Sequence, residues 1–137
     1  MNDSDIAHLG MIQGVISRMA SNSFALKALA MTLASAVLAF VGSVADPKWM
    51  YPLAGMLPQL AFWYLDAKYL RLERLYRRLY DEVRTGQLAT PFSMDTSAYR
   101  DEISSTFRIA FSWSVFGFYL FTLVALLLSF FALLGCF

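Results

Sequence analysis

Residues 62–84 read FWYLDAKYLRLERLYRRLYDEVR. The stretch opens as apolar, aromatic sequence and continues without interruption into a charged segment carrying Lys68, Arg71, Arg74, Arg77 and Arg78. No Pro or Gly lies between Pro58 and Gly86, so no residue there is forced to end a helix. The reading is one helix that leaves the bilayer and continues into the cytoplasm. Leu65, Tyr69, Leu72, Tyr76, Leu79 and Val83 recur at three- and four-residue steps, a heptad-like seam able to pack on other helices. Arg71, Arg74 and Arg78 are expected on a different face. Glu73 with Arg77, Arg77 with Asp81, and Arg78 with Glu82 stand four apart, and each such pair is worth a few tenths of a kcal/mol. Gly86 suits a helix C-cap.

The composition around this stretch favours lipid as solvent. Of the 137 residues, 58% are hydrophobic and 15% charged, against about 25% charged in a soluble domain. The net charge of +1 hides an asymmetry: residues 66–108 hold eight of the eleven Lys and Arg and seven of the ten Asp and Glu. Cys136 is the one cysteine, so no internal disulfide forms and no thiolate metal set is expected. The N-terminal MNDSDIAHLG is acidic and does not read as a secretory signal.

Working outward toward the N-terminus, residues 49–65 are uncharged and read as the second of three transmembrane helices, with Trp49 and Tyr51 as interfacial anchors. Pro52 fits the first turn. Pro58 falls inside and predicts a kink, which beside Gln59 serves either packing or a gating bend. Residues 45–48 form a polar turn. Residues 28–45 are eighteen without a charge, roughly 27 Å of helix; with Phe24 and Lys27 at the start, residues 24–45 read as the first span. Its small residues Ala28, Thr32, Ser35, Ala39 and Gly42 share a side. Small residues let helices approach closely in lipid, so the stripe is either a packing seam or, through Thr32, Ser35 and Ser43, part of a pore lining. Ser21, Asn22 and Ser23 predict a break and an N-cap. Before them, residues 1–23 read as a cytoplasmic amphipathic helix, with Leu9, Ile12, Val15, Ile16 and Met19 on one face. Packing on the helix beyond Asp66 is favoured over lying on lipid, because only Arg18 meets anionic headgroups. His8, the lone histidine, is expected to be structural.

Toward the C-terminus, residues 87–95 read as a loop with Pro91. Thr96 or Ser97 is expected to cap a helix continuing through Arg108, so that residues 66–108 form a cytoplasmic helical hairpin with a basic face. Residues 109–137 are twenty-nine without a charge, roughly 43 Å as helix, and read as a tilted or overlong third span. The fold class is therefore an all-α membrane protein with three transmembrane helices, an N-terminal amphipathic helix and long cytoplasmic extensions. The basic central segment stays inside, which puts the N-terminus in the cytoplasm and the C-terminus in the periplasm. Lys27 and Asp66 then share the inner interface and are expected to pair, since isolated charges at that depth are costly.

No Ser/His/Asp order, Cys/His pair, HExxH, P-loop or GxGxxG is present, so no enzyme, cofactor or metal is expected. What remains is a membrane anchor presenting arginines interleaved with Tyr69, Tyr76 and Tyr80. Guanidiniums take phosphates and tyrosines stack on bases, so Lys68, Arg71, Arg74, Arg77 and Arg78 are candidate oligonucleotide or phosphate ligands. The positive-inside rule places basic residues there with no ligand at all. Three helices pack solid, so a pore requires a homo-oligomer, a tetramer being the expectation. In it Pro58 and Gln59 would shape the kinked pore helix and Lys27 and Asp66 would pin it.

Residues 12–24, IQGVISRMASNSF, with Lys27 and the 62–84 stretch, resemble small bacterial membrane proteins of anti-phage defence operons that stand beside nucleotide-signalling genes. In size and layout the chain is most similar to the membrane effectors of Hailong-type systems. The resemblance covers about residues 12–84 and carries no catalytic signature. Such effectors pair with a nucleotidyltransferase whose single-stranded DNA oligomers keep an ion channel closed. The resemblance implies a channel that depolarises the bacterial inner membrane in abortive infection, gated by an oligonucleotide or nucleotide. The competing expectation is a non-channel anchor recruiting a soluble partner through the Leu72/Tyr76/Leu79 seam.

Overall fold

The computed structural model describes residues 3–86 and 92–135; residues 87–91 with Pro91, and Cys136, lie outside the described residues. The chain is all-helical, with no strand among them: α1 (Asp3–Ser43), α2 (Met50–Thr85), a 3-10 turn (Ser97–Tyr99), a short α3 (Thr106–Ala110) and α4 (Trp113–Leu133).

α1 and α2 form a long antiparallel hairpin joined by residues 44–49. Its register is read from successive cross-links. Near the turn, Val37 packs on Gly55, where an added Cβ would stand 3.1 Å from the valine Cγ2. Farther along, Gln59 reaches Ala30 and Asp66 reaches Lys27. At the far end Ile12 and Ile16 pack in one cluster with Leu75, Leu79 and Tyr99. The N-terminal segment therefore packs on the extension of α2 beyond Asp66, as its apolar face requires.

Three expectations are corrected. The break at Ser21–Ser23 is absent, and α1 is a single helix of 41 residues. Ile12 and Ile16 near its start and Ala30, Ala34 and Val41 in its second half are buried, and between them Ser23 spends its hydroxyl on Asp66 rather than on capping. The second correction concerns the return segment, which is mostly non-helical. Asp95 accepts from the backbone N–H of Ser97 at 2.8 Å and from its hydroxyl at 2.7 Å, a local turn that competes with helix formation. Ser105 caps α3 by accepting from Arg108 N. The chain then breaks at Ser112, whose ψ of 150° is extended. The freed Ala110 carbonyl accepts from Trp63 Nε1 at 2.9 Å. The overlong apolar run is thereby cut to a helix of 21 residues, about 31 Å, close to a bilayer core.

The third correction concerns the seam on α2. Leu79 is buried, with Tyr76 and Val83 partly buried beside it in the cluster with Ile12 and Ile16 of α1, but Leu65 and Leu72 are open, and with Tyr69 they line a cleft. A recruiting seam of Leu72, Tyr76 and Leu79 is thus not available as one surface, because Leu79 is fully enclosed. Gly86 closes α2 with φ 70°, its N–H bonding to Glu82 and Val83, the left-handed cap that glycine favours. Pro58 lies inside α2 without ending it.

Two helices, α1 and α4, are long and apolar enough to cross a membrane. α2, whose first half carries Pro52, Pro58 and Gln59 and reads from the sequence as the second span, is not one of them. Large apolar side chains face outward throughout, including Phe24, Leu57, Phe107, Phe121 and Trp113, the last 90% exposed. Aromatic contacts gather at two levels: Trp49 with Phe130 and Phe40 with Tyr51 near the α1–α2 turn, and Trp63 with Phe111 and Tyr64 with Phe107 about midway along α2. Aromatic belts are enriched at membrane interfaces in general.

Candidate anion-binding cleft and buried polar links

Three polar links tie the helices together. Gln59 is fully buried; its Nε2 donates to the Ala30 carbonyl at 2.6 Å, and its Oε1 accepts from Thr122 Oγ1 at 3.3 Å. One side chain of α2 therefore joins α1 and α4. An amide is suited to this because it offers donor and acceptor on opposite sides. The pairing expected between Lys27 and Asp66 is present: Lys27 Nζ stands 2.5 Å from Asp66 Oδ2, with side-chain exposures of 24% and 0%. Ser23 completes a ring, accepting from Lys27 at 3.1 Å and donating to Asp66 Oδ1. The buried Tyr119 hydroxyl lies near Asp66 but falls short of hydrogen-bond geometry. Ser23 was legible in principle, being four residues before Lys27 and so on the same helix face. Thr122 and Tyr119 sit in an uncharged run that gives no such signal.

The third link clasps the return segment onto α2. Arg78 binds Glu102 at 2.8 Å and Glu82 at 3.5 Å. Tyr99 donates its hydroxyl to Glu82 at 2.8 Å. Burial, then the bond to Glu82, pushes the Tyr99 phenol up to about 12. Glu102, then Glu82, holds the Arg78 guanidinium above its usual value. At the loop, buried His8 donates from Nε2 to the Ser93 carbonyl at 3.0 Å and stacks on Phe92, whose φ of 58° is left-handed. His8 is accordingly a structural fastener.

The basic residues do not form one face. Arg77 pairs with Glu73 at 2.7 Å, whereas Asp81, expected to meet Arg77, meets Arg84 at 3.6 Å. Arg78 is taken by the clasp. Arg74 is half-buried and is not among the residues of the cleft formed by Lys68, Arg71 and Arg100. Lys68 and Arg71 turn instead toward the return segment, where Arg100 joins them. These three line a cleft of about 440 Å³ with Tyr69, Thr96 and Thr106 as its other polar residues and Leu65, Leu72 and Leu75 as its apolar ones. No carboxylate lines it, and none of the three cations forms an ion pair with a described residue. Arg71 donates from Nη2 to the Arg100 carbonyl at 3.2 Å, which fixes the two walls against each other. Its Nε is sealed and without an acceptor. Lys68 Nζ rests over the Tyr64 ring, 5.2 Å from its centre. Asp95, the acid that feels Arg100, is held below its usual range mainly by the Ser97 hydroxyl and N–H.

Chemically, the cleft offers concentrated positive charge, hydroxyl donors and an apolar wall, and no nucleophile–base pair. Among the described residues no group of His, Cys, Asp and Glu is placed to hold a metal. Arg100 and Thr106 escaped the sequence reading because nothing linear places them against Lys68. Their place depends on the return segment folding onto α2. Comparison with known proteins adds no family: no family model, curated protein or solved structure matches the chain.

Proposed function

We propose that this chain is a multi-pass membrane effector regulated by a phosphate-bearing ligand at the Lys68/Arg71/Arg100 cleft. The observation that carries the reading is that cleft: three cations without a carboxylate, just beyond the second of the two aromatic levels, where α2 leaves the apolar part of the bundle. In this reading α1 from Lys27, the first half of α2, and α4 all cross the membrane. The basic end lies in the cytoplasm, as the positive-inside rule directs. Gln59 lies on the buried face of the spanning part of α2 and meets its partners inside the subunit.

A single subunit of this form encloses no pore, so activity belongs to a homo-oligomer, taken as a tetramer. The small-residue stripe supports this. Ala28, Thr32, Ser35, Ala39 and Gly42 are all exposed, so they serve no packing within the subunit. Thr32 and Ser43 bond to their own helix carbonyls, which leaves a face suited to close helix approach. Gln59 is a cross-link here rather than a pore-lining group, and Pro58 beside it sits at the point where α2 is bound to both neighbours. The activity that fits is an ion channel that depolarises a bacterial inner membrane in anti-phage defence. Its regulator is a single-stranded oligonucleotide or nucleotide made by a partner nucleotidyltransferase. Arg74 and Arg77, outside the cleft, extend the positive field along α2 and would meet a longer ligand.

Purified protein in liposomes tests this by ion flux, with and without short oligonucleotides and nucleotides. Flux that a ligand alters, and that Arg100→Glu uncouples from the ligand, is the expected result. Absence of flux in every condition ends the channel reading.

A further inference from the structure

We infer that the cleft is also a headgroup site for an anionic phospholipid of the surrounding leaflet, with its acyl chains laid along α2. This rests on reading the cleft as an anion site and adds which phosphate fills it in the membrane. The cleft is the end of a track. Leu53, Leu57, Leu60, Tyr64, Lys68 and Leu72 follow one another at three- and four-residue steps and are all exposed. They therefore share one outward face of α2. That face is apolar up to Tyr64, where the Lys68 ammonium covers the ring, and from there it enters the basic cleft. A ligand that matches the whole track has two chains at one end and a phosphate at the other. A free phosphate or nucleotide matches only the basic end.

The polar lining fits a glycerophosphate. A phosphate would supply the negative charge that the cleft of Lys68, Arg71 and Arg100 lacks. Basic pockets at the ends of membrane helices take anionic headgroups for this reason. The Arg71 Nε has no acceptor, and a phosphate oxygen drawn in by the three charges supplies one after a small turn of the guanidinium. Thr96, Thr106 and Tyr69 place hydroxyls where an alcohol headgroup needs donors and acceptors. Leu65 and Leu72, both open, would be covered by the glycerol backbone and the first methylenes.

The test is lipid retention by the full chain in detergent, counted by native mass spectrometry. The lipids are phosphatidylglycerol and phosphatidylcholine, and glycerophosphoglycerol serves as the chain-free headgroup. Phosphatidylglycerol should be retained at least tenfold better than phosphatidylcholine, and better than the chain-free headgroup by a similar factor. Lys68→Gln with Arg100→Gln should erase the preference, whereas Arg18→Gln with Arg84→Gln, the same charge change at exposed positions outside the cleft, should leave it. Both cleft side chains are solvent-facing, and unchanged helical circular dichroism and elution volume confirm that the variant folds. Equal retention of the two lipids, a preference untouched by the double variant, or a chain-free headgroup bound as tightly as the lipid overturns the inference. Flux is not measured here, so a failed lipid preference leaves the channel reading standing, and absent flux leaves the lipid site standing.

Discussion

Asp66→Asn should destabilise the chain by about 3 kcal/mol, and the structure says where that loss comes from. Asp66 has no exposed surface and accepts from both Lys27 and Ser23. The asparagine amide can still accept from Ser23. Its NH2 group would then face the Lys27 ammonium, two donors with nothing between them. One charge-assisted hydrogen bond is lost, worth about 1.5–3 kcal/mol, and a cation is left without its counter-charge. Breaking a buried pair from one side costs roughly 3–5 kcal/mol. Lys27 is 24% exposed and its ammonium can move toward water, which places the expectation at the lower end. Replacing both partners, as Lys27→Met with Asp66→Leu, should be close to neutral, because apolar residues need no counter-charge. The assay is unfolding in mixed micelles by SDS titration, read by circular dichroism, over a double-mutant cycle. A coupling of about 2–3 kcal/mol is expected. If Asp66→Asn stays within about 0.5 kcal/mol of the parent, or the double variant loses the sum of the two singles, the pair does not hold the helices together.

Two further expectations follow from the other links. Gln59→Leu removes the hydrogen bonds to Ala30 and Thr122 and should cost about 1–2 kcal/mol in the same titration; Thr122→Val, which removes one of them, should cost about half as much. The Tyr99 phenol is raised from 10 to about 12, so the protonated form is favoured in the folded state. Its contribution is complete below pH 10 and is lost as the pH climbs toward 12. Ultraviolet titration should show the Tyr99 phenol ionising late, together with release of residues 97–103 to limited proteolysis. In Tyr99→Phe the late component should shrink by one tyrosine. A parent protein with no late phenol contradicts the Tyr99–Glu82 bond.

The sequence was most informative where a single residue type had one plausible use. Lys27 and Asp66 were the charges nearest the apolar runs that flank them, and cost alone predicted their pairing. Gly86 was the first glycine after a long helix, and it caps that helix. The sequence was least informative where local chemistry and tertiary packing disagree. Ser21–Asn22–Ser23 has good capping chemistry, yet a cap needs a free hydroxyl, and Ser23 donates to Asp66 forty-three positions away. The Leu65-to-Val83 seam has correct helical spacing, but spacing cannot say that α1 covers only its far half. The basic face failed for the same reason. The five candidate cations of α2 look alike in sequence, and the acids that sort them, Glu73, Glu82 and Glu102, include one from a segment whose path is set by Asp95 and Tyr99.

That sorting separates the polar groups of α2 by what they require. Gln59 and Asp66 are buried and fully partnered, as burial demands. Arg77 and Arg78 are exposed yet paired, a condition that costs little to gain or lose. Lys68 and Arg100 are exposed and Arg71 is half-buried, and none of the three is in an ion pair with a described residue. Water solvates exposed cations well, so nothing in the stability of the fold calls for gathering three of them in one cleft. Their mutual repulsion works against the return segment's docking, and that segment is held instead by Tyr99, Glu102 and the Arg71–Arg100 backbone bond. On the proposed reading, a phosphate-bearing ligand would find that charge already gathered. By relieving the repulsion it would tighten the return segment on α2, and because that segment leads through α3 into α4, occupancy of the cleft would bear on how the last helix sits against the other two.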